Sequence, residues 1–107
     1  MSNLTQKKCV PCEGGVPPLG KAVVEGFLTQ VSGWSLTGKS INKDFKFKNF
    51  VEAITFVNQV ADLAEQEGHH PDIHIHYNIV RFDIWTHVID GLSENDFILA
   101  AKINALK

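Results

Sequence analysis

The residues most able to do chemistry are five histidines, four of them packed into one stretch as His69, His70, His74 and His76, with His87 a little further on. Imidazole titrates with an unperturbed pKa near 6.5, so it can give or take a proton at neutral pH. A cluster of imidazoles therefore suits general acid–base catalysis. Metal binding is the competing use. His74-x-His76 would place two imidazoles on one strand face, a spacing that zinc sites employ. Pro71 disfavours helical backbone at His70 and so fixes where the His69-His70 pair points. Glu65, one helical turn ahead of His69, is placed to orient an imidazole or to be a solvated acid at a helix end. The two cysteines, Cys9 and Cys12, form a lone C-x-x-C among prolines and glycines. We read them as structural or incidental thiols, because no second pair completes a metal site.

The elements that must hold these histidines follow from the apolar periodicity. Residues 1–18, rich in Gly and Pro, read as an irregular N-terminal segment. From Leu19 to about Ser32 a helical stripe runs through Val23, Val24, Phe27, Leu28 and Val31, and Gly33 ends it. Trp34–Leu36, a turn at Thr37-Gly38-Lys39, and Ile41–Lys48 read as a hairpin. Asn49 and Glu52 form a capping box for a second helix with its stripe on Val51, Ile54, Val57, Val60, Ala61 and Ala64. Gly68 and Pro71 close that helix. A second hairpin spans Asp72 to His87. Ser93 to Asp96 cap a last helix carrying Phe97, Ile98, Ala101 and Leu106. The order α-β-β-α-β-β-α predicts an α+β fold, a four-stranded antiparallel sheet with three amphipathic helices on one face.

Register decides which histidines can meet. Ile73 and Ile75 must share a face with Val80, Phe82 and Ile84, because a one-residue slip would put one set in water. A two-residue turn at Tyr77-Asn78 satisfies this and pairs Ile75 with Val80 and Ile73 with Phe82. Asn78 is the residue better suited to the positive φ of such a turn. His70, Asp72, His74 and His76 then face Trp85, Asp83, Arg81 and Ile79, with His87 continuing the strand diagonal to His70. His69, His70 and His87 are thus expected at the open end of the hairpin, and His74 and His76 near its turn. Arg81 opposite His74 is a poor neighbour for a divalent cation, so no metal is expected.

Composition narrows the function classes. A chain of 107 residues has room for one core, and 44% hydrophobic residues suit a folded domain. Ten basic against twelve acidic residues leave a formal charge of -2. That gives no basic surplus for direct nucleic-acid binding. Apolar runs are too short to span a membrane, and the N-terminus lacks the apolar region of a secretory signal. A cytoplasmic location is expected.

Read together, Glu65-x-x-x-His69-His70-Pro71, Tyr77, Thr86-His87, Gly91-Leu92-Ser93 and Asp96 resemble the signature of the pterin-4a-carbinolamine dehydratases. Gly33-Trp34 and the Phe45/Phe47 strand extend the resemblance over roughly residues 19–106. Val88 is apolar where some members carry an acid. The resemblance implies a single dehydratase-like domain over 19–107 that forms a homodimer or homotetramer. It implies dehydration of 4a-hydroxytetrahydropterin to quinonoid dihydropterin, a hydro-lyase reaction in tetrahydrobiopterin recycling, without cofactor. The implied catalytic residues are His69, His70 and His87; substrate binding is assigned to His70, Pro71, Trp85 and Glu65. Two other readings stay open: a binding or dimerisation partner protein on the same fold, and a dehydratase serving another pterin or molybdenum-cofactor pathway.

Overall fold

The computed structural model describes residues 4–9 and 17–107, so Cys12 lies outside the described residues. A 3-10 turn at Leu4–Gln6 is followed by α1 (Lys21–Leu28), β1 (Ser35–Thr37), β2 (Ser40–Lys46), α2 (Phe50–Glu67), β3 (Asp72–His76) and β4 (Ile79–Ile84). A second 3-10 turn, His87–Ile89, leads into α3 (Glu94–Leu106). This is the expected α+β arrangement of three helices and a four-stranded antiparallel sheet, with strand order β1-β2-β4-β3. Ile41, Phe45, Val80, Phe82 and Ile84 from the two central strands form the sheet's share of the core. Among the described residues, no helix is long and apolar enough to cross a membrane.

Asn49 caps α2 as expected, its Oδ1 accepting the Glu52 N–H at 2.9 Å. The Glu52 carboxylate takes its return bond from the Lys48 N–H, one residue upstream of the cap. Gly68 closes the helix with φ 67°, a left-handed value glycine adopts without a Cβ penalty. The buried stripe of α2 is rotated from the expected one. Ala53, Phe56, Val60 and Ala64 face inward, whereas Val51 is 71% exposed. The helix is apolar on two neighbouring faces, and only the rotation that turns Phe56 inward seats its ring against Phe45 and Phe82, with centroids 5.1 and 6.0 Å away.

β3 and β4 pair in the register that the apolar phase predicts, Ile75 with Val80 and Ile73 with Phe82. The turn between them reverses expectation at one point: Tyr77 carries the positive φ, at 55°. Asn78 is committed elsewhere. Its Nδ2 donates to the Phe47 carbonyl at 2.9 Å and its own carbonyl accepts the Phe47 N–H at 2.8 Å, tying the turn to the chain after β2.

Two further expectations are corrected. β4 stops at Ile84, so His87 is not a strand residue. β3 begins only at Asp72, after Pro71, which has no N–H to give a ladder; Trp85 therefore has no strand partner on that side. The chain instead closes a loop in which Thr86 and Gly91 exchange backbone hydrogen bonds at 2.8 and 3.3 Å. Gly91 is required there, since a Cβ would come within 2.5 Å of the Pro18 Cβ. The second correction is to α3, which is buried at every position from Asn95 to Ala101 and again at Ile103. A helix apolar all round belongs in an interior, and α3 is covered from several directions. Phe27 of α1 stacks on Phe97 at 5.1 Å, and Leu4 of the N-terminal turn joins the same core.

Candidate active site

The end of α2, the loop after β4 and the first turn of α3 converge on one carboxylate. Asp96 is fully buried and is the third residue of α3. Its Oδ2 accepts the Ser93 N–H at 2.8 Å, the ordinary work of a side chain that caps a helix. The same oxygen accepts the Thr86 hydroxyl at 2.9 Å, and Thr86 Oγ1 also lies 2.9 Å from Ser93 Oγ. Oδ1 is left for His69, whose Nε2 sits 2.6 Å away with 13% of the side chain exposed. A carboxylate can only accept, so His69 donates from Nε2 and its Nδ1 holds the free lone pair in the neutral ring.

The other two imidazoles have different partners. His70 Nε2 lies 2.6 Å from Glu65 Oε2, an exposed pair with side chains 59% and 77% accessible. Glu65 thus orients His70 and not His69. His87, in the 3-10 turn directly after Thr86, stacks on Trp85 with ring centroids 3.9 Å apart. Lys39, from the β1–β2 turn, places its ammonium 5.1 Å from the Trp85 ring and ion-pairs with Asp90. The Asp96 carboxylate, spanning from His69 to Thr86, is what brings the His69 and His87 segments side by side.

His74 and His76 lie on β3, away from these contacts. His74 Nε2 is 3.1 Å from Asp83, which also faces Arg81 Nε at 3.5 Å. This is a charged network on the solvent side of the sheet. Asp96 and Thr86 are the residues that reasoning from residue types passed over as site members. The available signal was that Asp96 stood at the capping position of α3 while also falling in the signature read above.

Comparison with known proteins bears on what this arrangement is. A family model described as pterin 4 alpha carbinolamine dehydratase matches residues 17–106. A protein of Halorhodospira halophila provisionally named pterin-4-alpha-carbinolamine dehydratase is 52% identical over 106 residues, covering 97% of each chain. A Rickettsia canadensis protein with the same provisional name is 49% identical over 107 residues, covering 98% of each. Among solved structures, a transcriptional coactivator/pterin dehydratase from Brucella melitensis superposes with a TM-score of 0.80 at 34% identity, over 83% of this chain and 97% of that one.

Proposed function

The chain belongs to the pterin-4α-carbinolamine dehydratase family, and we propose that it dehydrates 4a-hydroxytetrahydropterin to quinonoid dihydropterin by histidine acid–base catalysis, as a cytoplasmic enzyme of tetrahydrobiopterin recycling. The observation that carries the mechanism is the 2.6 Å hydrogen bond from His69 to buried Asp96. Breaking the C4a–O bond is assisted by a ring nitrogen lone pair, so positive charge develops on the pterin. The departing hydroxide takes up one proton and leaves as water, while a ring N–H gives one up. His69, its Nε2–H engaged by Asp96, offers Nδ1 as the base for the ring N–H. His87 is assigned the acid that protonates the leaving oxygen. Its stacking on Trp85 fixes the orientation of the ring. His70, held by Glu65 and pre-set by Pro71, binds the substrate together with Trp85 and Glu65. Much of this surface is open to water. An open site suffices here, because the reaction also proceeds unaided and one positioned acid–base group supplies about 10²–10⁴-fold.

The test is a dehydration assay with synthetic 4a-hydroxytetrahydropterin. Turnover that persists in excess chelator is expected. Activity lost to the chelator and restored by zinc overturns the acid–base mechanism. A chain inactive on every 4a-hydroxypterin favours a second reading, a partner protein on this fold, which the coactivator wording of the Brucella melitensis structure prompts.

We also propose a homodimer or homotetramer. β1 and β3 are open sheet edges, and α2 presents Phe50 and Val51 to solvent at 48% and 71% exposure. Light scattering at micromolar concentration should return a multiple of 11.9 kDa. A mass equal to that value refutes the assembly.

A further inference from the structure

Residues 4–9 bind the two helix ends between which the His69–Asp96 bond closes. The Cys9 N–H donates to Glu67 Oε1 at 2.8 Å, and Lys8 Nζ to the Gln66 carbonyl at 2.9 Å, both in the last turn of α2. From the same segment, Cys9 Sγ lies 3.5 Å from the Asn95 carbonyl and Lys7 ion-pairs with Glu94, both in the first turn of α3. Glu67 stands two residues before His69, and Asn95 one before Asp96. The second oxygen of Glu67 accepts Lys102 Nζ from α3 at 2.8 Å, with the Glu67 side chain only 7% exposed.

The protonation states suit these bonds. Burial, aided by the Glu67 charge, pushes the Cys9 thiol up to about 12, so it is a donor at neutral pH. Burial raises the Glu67 carboxyl, but hydrogen bonds from Lys102 and Cys9 and the charges of Lys102 and Lys8 outweigh it and leave the pKa lowered. Glu67 is therefore an anion gripping both sides. His69 itself follows Gly68 in irregular backbone, with its N–H 3.3 Å from the Ala64 carbonyl.

We propose that Cys9 and Glu67 are positioning residues for the His69–Asp96 pair: the 4–9 segment acts as a strap that sets the gap across which that hydrogen bond forms. A bond of 2.6 Å has little slack, and opening it by about 1 Å abolishes it. The proposal rests on His69 being the base assigned above.

The experiment is a double-mutant cycle on the full chain. Glu67→Ala should lower kcat about tenfold and leave KM within about twofold. In an Asp96→Asn background the same change should cost less than about twofold, because there is no longer a pair to position. Equal losses in both backgrounds overturn the proposal, as does an unchanged kcat. A second readout needs no activity: nitrogen-edited NMR of the imidazoles should show a slowly exchanging His69 Nε2–H in the native chain and in His70→Ala, and its loss in Glu67→Ala. Persistence of that signal in Glu67→Ala also overturns the proposal. This arm separates failure of the strap from failure of the dehydratase assignment. Should Glu67→Ala not fold by circular dichroism, Cys9→Ala, which removes the thiol and its contact to Asn95 but keeps the backbone N–H bond to Glu67, is carried through the same cycle with an expected loss of about threefold.

Discussion

Replacing His69 or His87 by Ala should cut turnover of 4a-hydroxytetrahydropterin by roughly a hundredfold to a thousandfold, since each removes one of the two proposed proton-transfer groups. His70→Ala should cost about tenfold, mainly through KM, because His70 is exposed and held by the exposed Glu65. His74→Ala and His76→Ala should stay within about threefold; they lie on the solvent side of β3, His74 against Asp83. The ranking, measured at equal folded concentration, is the test. A larger loss at position 74 or 76 than at 69 or 87 would falsify the placement of the site.

The second large effect is expected at Asp96, and it should register in both turnover and stability. The carboxylate accepts from Ser93 N–H, Thr86 O–H and His69 N–H at once. In Asp96→Asn the side-chain NH2 must point at one of these donors whichever way the amide is turned. If it meets His69, the imidazole has to present a lone pair there and the proton moves to Nδ1, the wrong tautomer for a base. We expect kcat down about a hundredfold with KM little changed. A buried donor left unpaired costs about 1–3 kcal/mol, so urea unfolding should show a stability loss of about that size. A variant with kcat within threefold of the parent would show that the tautomer of His69 does not matter.

Much of the fold was legible because apolar phase is a strong constraint. The pairing of Ile73 and Ile75 with Phe82 and Val80 follows from which residues must leave water, and the structure has that register. Phase says less where every face is apolar. On α2 two adjacent stripes were available, and aromatic packing around Phe56 chose between them. On α3 the expected amphipathic face is missing because the helix is enclosed. The histidine cluster was visible as residue types, and the signature grouped His69 and His70 with His87. What organises them was harder to see. Asp96 reads as a helix cap, and nothing local reveals that its second oxygen serves an imidazole 27 positions upstream. Likewise the end of β4 at Ile84 depends on where β3 starts, a property of the neighbouring strand.

The enclosure of α3 also governs when the protein can finish folding. Phe27, Cys9, Trp34, Lys43 and Glu67 all make contacts with α3, and every one of them precedes it in the chain. During synthesis the sheet and α2 can gather around Phe45, Phe56 and Phe82, but they do so over a cleft whose filler is still unmade or inside the exit tunnel. For that interval Phe27 and Trp34 have water where α3 will lie, the kind of exposed apolar surface that invites aggregation. His69 has no carboxylate to meet until the first turn of α3 arrives. The nascent chain is therefore both sticky and without its His69–Asp96 bond until α3 docks, and docking ends both conditions in one step.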